Sequence, residues 1–253
     1  MEIGIIGLPQ VGKRIFFQLL TAGRGQSEAG LKKRGFELGE SVVKDPRFDV
    51  LVNMYKPKSA VAAKIFYMLF PALTKDAEKN KPLFDGLAKV DVICHIVRGF
   101  TAESVFHVEG NVDPLRDVKT VQSELLFNDV VFVEKRKERL EKELKAKREA
   151  PLEKEKALFD KLSQYLDKEQ FLYTVNFTEE ERKIIANYPF LTIKKQIIVL
   201  NVDENQISDA SLIEKVKGIF SHPAVSVMQI SAKVEEEILG LEEEERKEFL
   251  KAL

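Results

Sequence analysis

Residues 7–14 read Gly-Leu-Pro-Gln-Val-Gly-Lys-Arg, the spacing of a phosphate-binding loop at every position but the last. In such a turn successive backbone N–H groups point into one concavity and the following helix adds its dipole, so phosphate is held before any side chain contributes. Gly7 and Gly12 permit the turn and a close backbone approach, Gln10 and Val11 complete the cradle, and Lys13 brings a mobile charge to the terminal phosphates. Arg14 stands where a Ser or Thr hydroxyl normally ligates the nucleotide's magnesium, and Ile15 replaces the hydroxyl residue that usually follows. The predicted phosphate-binding set is therefore Gly7, Gln10, Val11, Gly12, Lys13 and Arg14. A tight turn with a solvated Lys and Arg is the plainer alternative.

The elements that must position this loop are legible around it. Ile3 to Ile6 is a short apolar run that predicts a buried strand, and Ile15, Phe16, Leu19 and Leu20 recur at helical spacing over residues 13–22. Further apolar runs at Ala62–Phe70, Val90–Val97, Gln196–Leu200 and Val225–Ile230 alternate with helical patterns over 76–88, 178–187, 209–220 and 233–251, the last broken near Gly240. Such alternation predicts an α/β fold with a mostly parallel sheet covered on both faces, and ligands of these folds sit at the carboxyl ends of the strands.

Composition limits the alternatives. The 253 residues are 44% hydrophobic, enough for a packed core, and the formal net charge of −1 hides many charges of both signs, so no global field argues for nucleic acid or membrane. The single cysteine, Cys94, excludes an intramolecular disulfide, and His95, His107 and His222 have no metal-site spacing; His95 and His107 lie among apolar residues and read as structural. No apolar run spans a bilayer and the first residues enter a strand directly, which predicts a cytoplasmic protein without a membrane.

Residues 116–170 break the α/β rhythm. Leu125, Leu126, Val130, Val133, Leu140 and Leu144 recur at helical or heptad spacing, Pro151 interrupts, and Leu152, Leu158, Leu162 and Leu166 resume, which predicts two long helices folded back as an antiparallel coiled-coil hairpin. The charge-rich stretch Glu134–Lys156 is either a solvated face or a projecting arm that touches RNA or a protein.

Several segments together resemble the YchF subfamily of Obg-like P-loop NTPases, within the TRAFAC class of GTPases. They are Gly4–Pro9 with Val11-Gly12-Lys13, Asp45-Pro46-Arg47-Phe48-Asp49, Ile93–Arg98, Phe106-His107-Val108, Val112-Asp113-Pro114-Leu115, Tyr188–Thr192, Asn201-Val202-Asp203-Glu204 and Ser231-Ala232-Lys233. The resemblance implies a Ras-like G domain over 1–253 with the 116–170 hairpin as an insertion; the small C-terminal TGS domain that it also implies is expected to be absent. It places base recognition on Asn201, Val202, Glu204, Ser231, Ala232 and Lys233, with Asn201 bracing the phosphate loop or contacting the base and Ala232 offering its backbone N–H. Glu204 where most such proteins carry Asp, and Val202 where they carry Lys, go in this family with relaxed or adenine-favouring choice, so GTP and ATP both remain open. A polar turn after a strand is the other reading of Asn201 and Glu204.

The resemblance also exposes what is missing for phosphoryl transfer, which needs positioned magnesium, a hydrogen bond to the terminal phosphate and an oriented water. Between Arg24 and Lys44 the hydroxyls are Ser27 and Ser41, neither in a convincing frame for a metal. Aligning Phe66 with the family's Phe puts Met68 in the position of the second switch's Asp and Pro71 in that of its Gly; proline has no N–H to give. The stretch Leu73–Lys79 then reads as helical. The expectation is a GTP- or ATP-binding regulatory protein with weak or absent hydrolysis and doubtful Mg2+ use, in which Arg14 either takes the metal's place, turns to solvent or closes an empty pocket. The alternative is a scaffold with a vestigial pocket, acting on a ribosome, RNA or protein partner through its coiled-coil arm and the Glu-rich segment 235–251; an active ATPase with unorthodox residues is the third reading.

Overall fold

The computed structural model describes residues 1–21, 35–102, 105–147, 149–242 and 244–246. It has strands β1 (Glu2–Ile6), β2 (Glu37–Val42), β3 (Lys64–Leu69), β4 (Val92–Arg98), β5 (Lys195–Asn201) and β6 (Val225–Ile230) in one sheet of order β2-β3-β1-β4-β5-β6. Every neighbouring pair is parallel except β2 with β3. Because β3 and β4 flank β1, successive crossovers leave β1 in opposite directions and a crevice opens at its carboxyl end. Ile5, Ile6, Ile93, Ile96, Ile198 and Val199 are buried, as strands covered on both faces require.

The helices are α1 (Lys13–Thr21), α2 (Pro46–Tyr55), α3 (Ala77–Leu87), α4 (Pro114–Ala146), α5 (Ala150–Leu166), α6 (Glu179–Ile185), α7 (Ser211–Ile219) and α8 (Ala232–Gly240). Their ends follow local chemistry. Asp113 accepts from Arg116 N–H with Pro114 in the first turn, and Thr178 and Glu181 form a reciprocal capping box. Consequently the helices expected over 178–187 and 209–220 are shorter at both ends, since capping residues lie outside the helical turn. α8 ends at Gly240, the expected break; helical turns resume over 244–246, where Arg246 donates to the Ile238, Leu239 and Leu241 carbonyls, and 243 and 247–251 fall outside the described residues.

Leu73–Lys79 is not one helix. The chain is irregular to Asp76, whose carboxylate caps α3, while Thr74 N–H donates to Asn80 Oδ1 and Asn80 Nδ2 returns a bond to the Thr74 carbonyl. The stretch Ala62–Phe70 is strand only over β3, and Val90–Val97 starts later, at Val92. Two elements were not legible as apolar runs: β2, an antiparallel edge strand with alternating burial, and α2, which buries none of its residues and exposes Val50, Leu51, Met54 and Tyr55.

Two long helices stand where they were expected, α4 ending at Ala146 and α5 beginning at Ala150, with Pro151 in the first turn of α5. The root and tip of the pair belong to different cores. Val121 and Leu125 pack under the sheet, whereas Val133 and Leu140 join Leu158, Phe159, Leu162, Leu166 and Phe190 in a separate cluster. Asp129 joins the two regions: its buried carboxylate accepts from Leu191 N–H, Thr192 N–H and Thr192 Oγ1 at 2.7–3.1 Å. Desolvation raises the Asp129 pKa against those bonds, which favour the charged form. Tyr188–Thr192 thus serves as the seat of the arm.

Candidate functional site

The strand–loop–helix unit at the amino end forms as its spacing requires. Gly12 has φ +89°, and a Cβ there would lie 2.3 Å from Asn201 Nδ2; one at Gly7 would lie 2.4 Å from the Ile96 carbonyl. Gln10 itself is left-handed at φ 58° and exposed. Lys13 folds back so that Nζ donates to the Gly7 carbonyl at 3.1 Å. Burial pushes its pKa down to about 7, so a loop without phosphate holds a poorly solvated ammonium.

Asn201, the last residue of β5, reaches across to this loop. Its Nδ2 donates to the Val11 carbonyl at 3.0 Å, and its Oδ1 accepts from Ala232 N–H at 2.9 Å. One buried amide therefore joins the phosphate loop to the first turn of α8. Beside it opens a cavity of about 930 Å³ lined by Gln10, Gly12, Phe100, Glu204, Ser231 and Lys233, among others. That is ample for a mononucleotide-sized ligand.

The expected base-binding residues come together here with distinct roles. Val202 is buried and its N–H donates to the Ile230 carbonyl, so it supports the cavity floor. Glu204 is exposed at the rim, and Lys233, also exposed, lies 3.8 Å from Glu237. Ser231 is buried and precedes α8 without a side-chain capping bond. Asp203 is already engaged, accepting from Thr101 N–H at 2.9 Å. Sequence reasoning passed over the wall formed by Phe100, Thr101, Ala102 and Val105, and over the reason it stands. Arg98 is buried at the end of β4 and donates to the carbonyls of Phe100, Ala102, Val105 and Phe106 at 3.0–3.5 Å, with its guanidinium over the Phe100 ring. A buried Arg ending an apolar strand was the available signal.

Gly7, Val11, Lys13 and Arg14 lie outside the lining of this cavity, on its phosphate-loop side. Arg14 neither fills the cavity nor turns wholly to solvent. Its Nη1 lies 3.3 Å from Oε2 of Glu37, the first residue of β2. Ser41 donates to the Tyr67 hydroxyl, and Ser27 falls outside the described residues. Met68 is inside β3, while Pro71 lies just beyond it and is exposed. The nearby Leu73 N–H is spent on the Gly7 carbonyl at 3.2 Å.

The histidines are structural in their contacts. His107 Nδ1 accepts from Glu109 N–H, so Nε2–H donates to Asp117 at 2.8 Å at the start of α4. His95 is buried in β4 without a hydrogen-bond partner among the described residues, and desolvation, helped by the Lys13 charge, lowers its pKa to about 3.

No family model matches the chain. The ribosome-binding ATPase YchF of Bacillus subtilis (strain 168) is 34% identical over 268 residues, covering 100% of this chain and 71% of the relative. The chain belongs to the YchF/Obg-like ATPase family. Within that family, Obg-like ATPase 1 of Schizosaccharomyces pombe is 33% identical over 273 residues, covering 100% of this chain and 68% of its own length. The solved structure of the Schizosaccharomyces pombe YchF GTPase matches with a TM-score of 0.78 at 30% identity, covering 100% of this chain and 71% of that one. The YchF-like sheet is thus that of a P-loop G domain, and the phosphate loop occupies its switch point.

Proposed function

We propose that this YchF-family chain binds ATP or GTP in the crevice between the phosphate loop and α8, and hydrolyses it slowly or not at all. The observation that carries the reading is the Asn201 amide, which holds Val11 and Ala232 in register beside a cavity large enough for the base and sugar. Lys13 supports it as well, because phosphate would supply the counter-charge that its buried ammonium lacks.

Loss of turnover is supported by the residues at each catalytic position. Arg14 and Ile15 offer no hydroxyl, Pro71 has no N–H, and the Leu73 N–H faces Gly7 rather than a phosphate. The relatives' names carry ribosome binding. For this chain we propose a ribosome, RNA or protein contact through the arm of residues 116–170, acting as an insertion in a single G domain, in the cytoplasm. No helix among the described residues is long and apolar enough to cross a membrane.

Titration with fluorescent ATP and GTP analogues tests the reading, together with phosphate release under multiple turnover. We expect saturable binding that Lys13→Ala abolishes, and phosphate release no faster than in buffer alone. Absence of binding overturns the nucleotide reading, and sustained phosphate release overturns the loss of turnover.

A further inference from the structure

Magnesium in a phosphate-loop site is held by oxygen: the hydroxyl of the first helical turn, carboxylates, waters and the phosphates themselves. The described residues of this chain do not fit it. The first turn of α1 offers a guanidinium and an aliphatic chain at Arg14 and Ile15, and the carboxylate facing that turn, Glu37, is already committed to Arg14. Among the described residues no group of three or more His, Cys, Asp or Glu could hold a metal.

What stands there is a cation built into the chain. The Arg14 guanidinium spans the distance between the first turn of α1 and the first residue of β2. Its partner carboxylate is largely buried, with side-chain exposure of 10%, while Arg14 is 50% exposed. Among the described residues no donor gives Glu37 Oε2 a hydrogen bond of good geometry. The pair is thus a Coulombic contact at one edge of a planar fork, and a guanidinium has five N–H donors to distribute.

We infer that the site takes its nucleotide free of magnesium, with Arg14, steered by Glu37, neutralising the phosphates in the metal's stead. This rests on the nucleotide-binding reading above. Arg14 offers its remaining donors to phosphate oxygens, the bidentate geometry that guanidinium suits. Glu37 is a positioning residue: it draws the half-exposed guanidinium toward β2. A divalent ion entering beside Arg14 would meet like charge and find no hydroxyl at positions 14 and 15.

The test is calorimetric titration of the full chain with ATP and with GTP, in EDTA and in magnesium. Wild-type affinity is expected to agree within twofold between the two conditions. Arg14→Ser is expected to lose tenfold or more in EDTA and to recover part of it with magnesium, because a hydroxyl ligand is restored. Glu37→Gln is expected to weaken binding several-fold, and Arg14→Ser with Glu37→Gln together to be no weaker than Arg14→Ser alone, since Glu37 acts through Arg14. Arg14→Lys keeps the charge without the fork and serves if the serine variant does not fold; it should bind more weakly than wild type in EDTA. Magnesium tightening the wild type tenfold overturns the inference while leaving nucleotide binding standing. So does full affinity of Arg14→Ser in EDTA, and additive losses in the double variant overturn the role of Glu37. Absence of binding in both conditions overturns the nucleotide reading and this inference with it.

Discussion

Replacing Asn201 by Ala removes both bonds that join the phosphate loop to α8. The Val11 carbonyl loses a donor at 3.0 Å and the Ala232 N–H loses an acceptor at 2.9 Å. Each buried group stranded in this way costs about 1–3 kcal/mol. Ala232 borders the cavity, so water can repair part of its loss; Val11 is buried and has no such recourse. A net destabilisation of about 3 kcal/mol follows, which in a chain of this length lowers the melting temperature by about 6–12 °C. Nucleotide affinity should fall at least tenfold, because the loop must then be ordered at the expense of binding. Thermal melting by circular dichroism measures the first effect, and analogue titration below the melting range measures the second. Asn201→Asp is the discriminating control: it keeps an acceptor for Ala232 but sets a carboxylate oxygen against the Val11 carbonyl, so it should be no better than Ala. A melting temperature within 2 °C of wild type together with unchanged affinity would refute the brace.

Lys13 makes the unliganded fold pH-sensitive. Its pKa is about 7 when folded and near 10.5 when unfolded, so the unfolded chain holds the extra proton across that window and stability rises as pH increases through it. Lys13→Met should therefore stabilise the unliganded protein at pH 6 by a few kcal/mol and lose that advantage by pH 10.5; equal gains at both pH values would contradict the burial argument. Arg98→Met should strand the carbonyls of Phe100, Val105 and their neighbours, costing about 2–4 kcal/mol, and weaken nucleotide binding. Faster amide hydrogen exchange at Phe100, Val105 and His107 checks it, and unchanged protection there would remove Arg98 from its place as organiser of the cavity wall.

The phosphate loop and the inner strands were readable because both rest on local rules. Gly7, Gly12 and Lys13 have fixed spacing, and a doubly covered parallel strand must be an apolar run, as Ile93–Val97 is. The edge of the sheet follows different physics. Glu37, Gly39 and Glu40 make β2 look like a loop, and only its antiparallel pairing with β3 makes it a strand. That is why the partner of Arg14 stayed hidden: it sits in the element that composition conceals. The helix read over Leu73–Lys79 failed because Thr74 and Asn80 spend their polar groups on each other. Asn201 was expected to brace the loop or touch the base, and its amide spends both ends on bracing.

The Asn201 brace also imposes an order on synthesis. The two residues it first joins, Val11 and Asn201, are 190 positions apart. At ~5–20 residues per second on the ribosome, roughly 10–40 s separate the emergence of one from the other. Throughout that interval the loop at the amino end exists as sequence without its clamp, and a nucleotide meeting the nascent chain finds no cradle. On the nucleotide-binding reading proposed above, competence to bind arrives late, when β5, β6 and the first turn of α8 have left the exit tunnel, so the first motif to be made is among the last parts of the molecule to become a site.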